Sequence, residues 1–295
     1  YDWTIPKEWN IKDAYILDKN GDVLISYKEN NLHVVSYSKS VRKNLSWSEL
    51  KKKIHFIKGK NLAIPYRTTY YNEDWGFCVN EKQYYKIKKA NGPYKISIQS
   101  SLKKGSLTFG EYLIKGKSKR EILISTYICH PSMANDCLSG LILTAFLAKK
   151  IQKIKPKWSY RFVFVPETIG AVAYCYLNEK KMKNIDTGLV ITTVGGSGKL
   201  GYKKSWDNDH QINKDIEKVF KSMKINFITY PFSIRGSDER QYSSQGFKIN
   251  VASITKDKYF EYPQYHTSLD NLKFVNGKNI NLTLKVYFKL IKEIE

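Results

Sequence analysis

One stretch, residues 121–140 (EILISTYICHPSMANDCLSG), constrains the fold more than any other part of the chain. Its first half is an apolar, β-branched run of strand length, which predicts a buried strand of an α/β sheet. His130 and Pro131 end that run, a short polar turn carries Asp136, and the apolar helix LILTAFLAKKI follows. The pattern therefore places an imidazole and a carboxylate beyond the carboxyl end of a strand, where open α/β sheets keep their sites. This arrangement indicates a metal site.

Strands and helices alternate through the rest of the chain from residue 110 onward. The predicted strands are FGEYLIKG, EILISTYI, YRFVFVPET, TGLVITTVGG, INFITYPF and KINVASIT. The predicted helices are LSGLILTAFLAKKIQKI, AVAYCYLNEKKM, INKDIEKVFKSM and the last amphipathic run, which we expect Asp270 to cap. Such alternation predicts an α/β domain over residues 110–295, with a mixed, mostly parallel sheet that is covered by helices on both faces.

Residues 1–109 have a different texture, with short alternating segments between Asn-Gly and Gly turns. This predicts an N-terminal segment and a small β-rich accessory domain, inserted beside the α/β domain. One helix is predicted near residues 46–54, because Ser46 and Glu49 have the spacing of a capping box. The aromatic run IPYRTTYYNEDWGFC is either a hairpin that packs on the neighbouring domain or a lid that brings Arg67 to the mouth of a site.

Charge and cysteine usage limit the class of protein. The chain has 50 basic and 27 acidic residues and a net charge of +23, but its lysines are scattered rather than gathered in a stripe. We therefore expect no nucleic-acid partner, and no apolar window reaches the roughly 18 residues of a membrane span. Four cysteines without disulfide-framework spacing predict a reduced, cytoplasmic protein. The chain begins without Met, and we expect the native polypeptide to extend beyond both ends.

Two of the five histidines fall in polar loops that follow predicted core strands, His130 and His266. The carboxylates that we expect at the same edge of the sheet are Asp136, Glu167 and Asp238. Neutral imidazole together with carboxylate oxygen is a set of zinc ligands. Cys129 and Cys137 flank the first histidine and its aspartate, and we interpret both as packing residues.

The motif order H, ND-x-x-SG, E-T-x-G, SDE-x-x-Y and HTSLDN resembles the zinc aminopeptidase superfamily, which includes the glutaminyl cyclases. The phrases WTIPKEWNIKDAYI, IPYRTTYY, WGFC, TYICHPSMAND and PETIG are similar to a bacterial branch of aminopeptidase-like proteins. That branch carries an inserted β-domain and often occurs near surface-polysaccharide genes. The resemblance covers nearly the whole chain.

The resemblance implies specific roles for four residues. His130, Asp136 and His266 match metal ligands, with Asp136 at the position that bridges two metals in the family. Glu167 matches the general base.

Two further family ligands have no counterpart here. Thr168 stands where a second Glu is usual, and Gly195 and Gly196 stand where an Asp ligand is expected. The departures favour one zinc over two.

One zinc held by two histidines and a carboxylate keeps an open position, as in catalytic zinc sites. Such an ion lowers the pKa of its bound water from about 15.7 to roughly 7, and Glu167 can then accept the water proton. Alternatively, Glu167 is itself a ligand and the base lies elsewhere. Asp238 either acts at the catalytic site by orienting a ligand or substrate, or is a loop carboxylate paired with Arg235 or Arg240.

Substrate contacts are predicted from residue type alone. Arg67, Arg235 and Arg240 suit a carboxylate or phosphate, because the guanidinium forms bidentate hydrogen bonds with such groups. Glu239 suits a free ammonium, and Tyr265 is the fifth predicted substrate contact.

The predicted function is that of a zinc-dependent, aminopeptidase-like hydrolase that cleaves a peptide or amide bond near a terminus. One alternative is a metal-dependent enzyme that processes an amide or acyl group on a sugar or surface-polysaccharide precursor. Another is a degenerate, non-catalytic binding module. The expected partner is a small peptide or amide-bearing substrate, and a homo-oligomer is left open.

Overall fold

The computed structural model describes residues 3–295, which form two compact units. The accessory unit contains the described residues up to Ser106 together with Gln264–Asp270. The α/β unit contains Leu107–Pro263 and Asn271–Glu295. The predicted boundary at residues 109/110 took no account of Gln264–Asp270, because nothing in the local sequence of that segment indicates its tertiary neighbours.

The accessory unit is built mainly from antiparallel strands. Its elements are β1 (Glu8–Leu17), β2 (Val23–Ser26), β3 (Val41–Leu45), α1 (Trp47–Leu50), β4 (Ile54–His55), β5 (Phe77–Cys78), α2 (Glu81–Ala90) and β6 (Tyr94–Lys103). Four strands form an antiparallel sheet in the order β2-β1-β6-β3, and β4 pairs in parallel with β5. A separate apolar core, which includes Ile16, Phe77 and Ile96, lies in this unit. The predicted β-rich accessory domain is confirmed as a class of structure.

Local predictions for this unit have mixed outcomes: one helix was missed, one was predicted correctly, and the hairpin alternative for the aromatic run is wrong. Helix α2 was missed, and it is set at its start by reciprocal hydrogen bonds between Asn80 and Gln83, both of 2.9 Å. The helix predicted near residues 46–54 is present, as α1 followed directly by a 3-10 turn, Lys51–Lys53, and Glu49 accepts a hydrogen bond from the Ser46 amide at 2.8 Å. The aromatic run forms no hairpin, since only Phe77–Cys78 within it is a strand.

The α/β unit contains seven strands and six helices. The strands are β7 (Gly110–Ile114), β8 (Glu121–Tyr127), β9 (Ser159–Val165), β10 (Thr187–Val190), β11 (Gly201–Lys203), β12 (Ile228–Tyr230) and β13 (Asn250–Thr255). The helices are α3 (Gly140–Gln152), α4 (Ile169–Leu177), α5 (Glu179–Met182), α6 (Gln211–Ser222), α7 (Glu239–Tyr242) and α8 (Gly277–Ile294). The strand order is β12-β11-β13-β10-β8-β9-β7. The four central strands are parallel, whereas β7 and β11 run antiparallel to their central neighbours. The predicted mixed, mostly parallel sheet is confirmed.

Alternation along the central strands gives this sheet two apolar faces. On β8, Ile122 and Ile124 belong to the core that contains residues of α3, α6 and α8. Leu123, between them, belongs to the core that contains residues of α4 and α7. Helices therefore cover both faces, as predicted. Among the described residues, no helix combines the length and the apolar character that a membrane span requires.

The register of β8 and β9 fixes where the loops after them begin. The two strands pair in parallel over their whole lengths, so that Tyr127 lies beside Val165 at the carboxyl ends. Because both chains leave the sheet at the same level, the loops that carry His130 and Glu167 start side by side. The candidate site therefore lies at the carboxyl ends of β8 and β9.

Candidate metal and catalytic site

His130 and Glu167 meet beyond the ends of β8 and β9. The Nε2 atom of His130 lies 3.6 Å from Oε2 of Glu167. The imidazole is 6% exposed and the carboxylate 29%, so the pair combines a buried ring with an acid that solvent can reach. The other oxygen of Glu167, Oε1, accepts a hydrogen bond from the hydroxyl of Ser237. The geometry leaves Oε2 directed to the side on which His130 lies.

The thiol of Cys129 contacts both of these residues. Its Sγ accepts a hydrogen bond from the Glu167 amide at 3.1 Å and lies 3.4 Å from Nδ1 of His130. Cys129, His130 and Glu167 each offer a ligand atom within 4.8 Å of the others. Burial is the largest cause that raises the pKa of the Cys129 thiol well above its ordinary value, which keeps it protonated. The interpretation of Cys129 as a packing residue therefore missed its polar contacts.

Asp136 lies in a π-helical turn, Ala134–Ser139, that joins the loop after β8 to α3. The turn departs from helical geometry at Asp136 itself, where φ is −110° and ψ is 81°. Irregular turns of this kind are frequent at functional sites, because they re-aim a side chain without ending the helix. The residue is 1% exposed, and its Oδ1 accepts a hydrogen bond of 2.7 Å from the hydroxyl of Tyr127.

The Tyr127 hydroxyl is held in a donating orientation toward Asp136. It accepts a hydrogen bond of 2.7 Å from Thr192 and donates one of 2.7 Å to Asp136. Burial raises the pKa of Tyr127 well above its ordinary value, and the charges of Asp136 and Glu167 raise it further. The phenol therefore stays protonated and fixes one oxygen of Asp136.

A second carboxylate, Asp257, was not singled out in the sequence. It follows β13 and fills the space above the glycine loop, where a Cβ atom on Gly196 would lie 2.1 Å from its Oδ2. Its Oδ1 accepts a hydrogen bond of 2.7 Å from the Gly198 amide, and its Oδ2 accepts one of 3.3 Å from Asn135. The glycines at the position of the expected Asp ligand thus make room for an acid from another strand. No local signal reveals this, because the contact joins β13 to a distant loop.

The loop that carries Glu167 is strained and is held by Asp238. Thr168 has a φ of 62°, which a β-branched residue rarely adopts. Its amide donates a hydrogen bond of 2.7 Å to Oδ1 of Asp238, which is fully buried. Burial raises the pKa of Asp238 well above its ordinary value, and the charge of Glu167 raises it further. Among the described residues, its Oδ2 has no hydrogen-bond partner.

Glu239 is engaged inside the fold. It is 1% exposed, and its carboxylate accepts a hydrogen bond of 2.6 Å from Nζ of Lys203, itself buried. The Ser237 amide donates to the same carboxylate at 2.9 Å. In the structure Glu239 therefore binds the ammonium of Lys203. The role of Glu239 as a substrate contact remains a prediction.

The remaining predicted substrate residues lie in different units. Arg235 and Arg240 are exposed in the α/β unit, and the guanidinium of Arg235 lies 3.8 Å from the ring centroid of Phe260. Arg67 is exposed in the accessory unit. Exposure leaves the three guanidinium groups accessible, and their binding roles remain predictions.

His266 and Tyr265 belong to the segment Gln264–Asp270 of the accessory unit. Their rings stack with centroids 3.9 Å apart, and the backbone oxygen of His266 accepts a hydrogen bond of 2.8 Å from the Tyr66 amide. The role of His266 as a ligand remains a prediction. Asp270 does not cap α8 as predicted, because Asn276 occupies that position and accepts from the Asn279 amide at 2.9 Å.

Comparison with known proteins supports this fold. A family model described as "Domain of unknown function (DUF4910)" matches residues 1–295. A Clostridium acetobutylicum protein described as "Putative polysaccharide biosynthesis protein with aminopeptidase-like domain" is 46% identical over all of this chain and 67% of its own length. A crystal structure of a "putative peptidase" from Clostridium acetobutylicum superposes with a TM-score of 0.96, at 46% identity, over all of this chain and 69% of that one.

A more distant likeness extends to a named enzyme. The structure of BSAP, a zinc aminopeptidase from Bacillus subtilis, matches 99% of this chain and 83% of its own with a TM-score of 0.68. The identity is 11%, so this likeness concerns the fold alone. The predicted resemblance to aminopeptidase-like proteins is confirmed.

Proposed function

The chain belongs to the family described as "Domain of unknown function (DUF4910)", and we propose that it is a zinc-dependent hydrolase of amide bonds. In this proposal His130, Asp136 and His266 hold one zinc ion, and Glu167 is the general base. The bond cleaved lies near a terminus of a small peptide or another amide-bearing molecule. Contacts of His130, Asp136 and Glu167 support the metal site and the base.

The donors around His130 fit zinc in type and in burial. An imidazole that is 6% exposed and a carboxylate that is 1% exposed offer the nitrogen and oxygen atoms that zinc prefers. A buried carboxylate is costly without positive charge nearby, and a divalent cation supplies that charge. Tyr127 stays protonated and donates to Asp136, which fixes the orientation of this carboxylate as partners of metal ligands commonly do.

The observation that carries the proposal is the position of Glu167. Its Oε2 lies 3.6 Å from the imidazole of His130, while its Oε1 is held by Ser237. An acid that is held at one oxygen and whose side chain is 29% exposed is suited to move a proton. Bound zinc would act as a Lewis acid and make hydroxide available near neutral pH.

Amide hydrolysis adds water across the bond between the carbonyl carbon and nitrogen. Oε2 of Glu167 is the atom that accepts the proton of the attacking water and then donates it to the leaving nitrogen. Ser237 holds Oε1, and the backbone amide of Glu167 is held by the thiol of Cys129. These contacts fix the carboxylate during both transfers.

A second candidate is an amide or acyl group on a sugar. The observation that favours it is the description of the 46% identical relative, which names polysaccharide biosynthesis. A sugar amide needs the same proton transfers at Glu167, so the two candidates differ only in the group on the nitrogen. We place the reaction in the cytoplasm, because all four cysteines are free thiols.

The proposal is tested by amide hydrolysis with controlled metal content. The chain is purified, stripped of metal with a chelator, and assayed on a panel of peptides, N-acyl p-nitroanilides and N-acyl amino sugars, before and after stoichiometric zinc. We expect release of amine only after zinc is restored. His210→Ala is the matched control, because His210 lies beside Asp186 at the other end of β10.

Two outcomes would contradict the proposal. Turnover that survives complete removal of metal would exclude a zinc-dependent reaction. A chain that binds zinc but releases no amine from any member of the panel would favour the non-catalytic binding module.

A further inference from the structure

A cavity of about 360 Å³ opens beside His130 in the α/β unit. The loop after β8, the first turn of α3 and residues Asn271 and Leu272 form its walls. The apolar side chains among them are Ile128, Met133, Cys137, Leu138, Leu141 and Leu272. A cavity that reaches a metal-ligand candidate and is walled by apolar groups has the form of a substrate subsite.

The mouth of this cavity leaves large apolar side chains in water. Leu272 is 79% exposed, Leu138 40% and Ile128 39%. Exposed apolar area that is clustered, rather than scattered singly, marks a surface that binds something. Removal of this area from water is favourable, so an apolar ligand group gains affinity here without any polar contact.

Among residues 3–295, no acidic side chain lines the cavity. Glu239, which suits a free ammonium by residue type, already binds Lys203 at 2.6 Å, and Glu261 is paired with Lys258. A charged ammonium seated among these apolar side chains would lose its hydration without meeting a carboxylate in the described lining of the cavity. The cavity therefore favours an uncharged group.

We propose that the cavity binds the acyl group of an N-acyl amide, and that this acyl group is apolar and carries no ammonium. The inference rests on the proposed amide hydrolysis and specifies its substrate class. The polar half of the substrate, such as an amino sugar, is then the leaving amine. A cavity of about 150 Å³ holds benzene, so the volume here accommodates an acyl chain of roughly eight to ten carbon atoms.

The sharpest test uses two substrates that differ only in the ammonium. Leucyl p-nitroanilide and 4-methylpentanoyl p-nitroanilide have the same carbon skeleton, and only the first carries a charged amine. We expect kcat/KM to be at least roughly tenfold higher for the uncharged substrate, and also higher for 4-methylpentanoyl than for acetyl p-nitroanilide. Faster cleavage of the leucyl substrate would overturn the proposal.

Variants then locate the preference in this cavity. Leu272→Gln, at a position too exposed to threaten folding, and Leu138→Gln should each lower the ratio of 4-methylpentanoyl to acetyl kcat/KM about fivefold to tenfold. Leu177→Gln is the matched control, because Leu177 is 63% exposed and does not line the cavity. An unchanged ratio in both cavity variants would contradict the assignment.

A binding measurement separates this inference from the proposed function. Fluorescence of the neutral probe N-phenyl-1-naphthylamine reports apolar binding without turnover. We expect 4-methylpentanamide to displace the probe from the full chain and leucinamide not to displace it. The Leu272→Gln variant should bind the probe more weakly than wild type. Displacement of the probe without any amide hydrolysis would contradict the proposed function but support the cavity as an acyl-binding site. Amide hydrolysis without specific displacement of the probe would contradict the acyl-binding role of the cavity but support the proposed function.

Discussion

The α/β sheet carries a histidine and a carboxylate at each of its two ends, and only one of these pairs has the character of a reactive site. At the carboxyl end, His130 lies 3.6 Å from Glu167. At the amino end, Nε2 of His210 lies 3.1 Å from Asp186, the residue before β10. By distance alone, the pair at the amino end is the closer of the two.

The pair at the amino end is fully used in stabilising the fold. Nδ1 of His210 accepts a hydrogen bond of 3.2 Å from the Ile212 amide and caps α6. The same oxygen of Asp186 that meets His210 is also 3.1 Å from the guanidinium of Arg120 and accepts from Thr187 at 3.0 Å. Both ring nitrogens of His210 and Oδ2 of Asp186 therefore have structural partners.

The carboxyl end of the sheet contains features that lower the stability of the fold. Thr168 has a positive φ, and Asp238 is fully buried with one oxygen that lacks a hydrogen-bond partner among the described residues. Strain and burial of this kind persist where a ligand or a reaction uses them. The comparison teaches that the burial and strain around a histidine and its carboxylate, rather than their proximity, distinguish a site.

The largest contrast is expected between Glu167→Gln and Asp186→Asn. Glu167→Gln should lower kcat about 100-fold to 10,000-fold while zinc stays bound, because the variant keeps the shape but cannot accept a proton. Asp186→Asn should leave kcat unchanged. Steady-state kinetics with parallel elemental analysis measures both. Loss of zinc in Glu167→Gln would make Glu167 a ligand, which was the alternative left open by the sequence.

The next largest effect is expected at Cys129. Cys129→Ala removes the acceptor for the Glu167 amide and the neighbour of Nδ1 on His130. We expect zinc affinity to fall about tenfold to 100-fold, as for other groups that orient metal ligands. Cys129→Ser should restore part of this affinity, because the hydroxyl can still accept the hydrogen bond.

Cys175→Ala is the control for that experiment. Cys175 is a buried thiol in the core on the α4 face. A competition titration with a chromophoric chelator gives the affinity. Equal loss in both cysteine variants would mean that the effect is general destabilisation.

The smallest effect is a difference in the sign of two pH dependences. Burial raises the pKa of Asp238, so the folded chain binds its proton more tightly than the unfolded chain does. The stability from Asp238 is present below the unfolded pKa, near 4, and is lost as pH rises from there toward the folded pKa. Relative to wild type, Asp238→Asn should therefore gain stability as pH rises above about 4.

Asp186 should show the opposite sign. Burial acts to raise the pKa of Asp186, but hydrogen bonds from His210 and Thr187 and the charge of Arg120 outweigh it and lower the pKa. Its stabilisation is present above the unfolded pKa and is lost as pH falls through the folded pKa. Asp186→Asn should lose less than about 1 kcal/mol at neutral pH, and less still in acid. Urea midpoints from about pH 2.5 to about pH 8 measure both variants, and parallel curves would contradict this account.

The sequence predicts the carboxyl-end site better than it predicts the accessory unit. The apolar runs of β8 and β9 identify buried strands, and the residues after them, His130 and Glu167, follow from the geometry of parallel sheets. Helix α2 was missed because only Glu81 and Ile87 of EKQYYKIKKA are buried, so the segment shows little apolar periodicity. Its capping pair, Asn80 and Gln83, was the available signal.

Other features depend on contacts that no local pattern contains. Strand β11 has three residues and lies beside glycines, so nothing in its composition indicates a strand. Asp257 reaches the glycine loop only through the fold, and the polar contacts of Cys129 require the aligned ends of β8 and β9. The assignment of residues 264–270 to the accessory unit likewise depends on tertiary pairing, such as the bridge from Pro65 to Thr267.

The most direct test of the account is zinc content per chain, measured by elemental analysis after dialysis without chelator. The wild-type chain and His210→Ala should each retain about one zinc, and His130→Ala should retain roughly none. Equal zinc in the two histidine variants would show that the ion, if bound, lies elsewhere. A wild-type chain that cannot take up zinc would contradict the central claim that the carboxyl end of this sheet is a metal site.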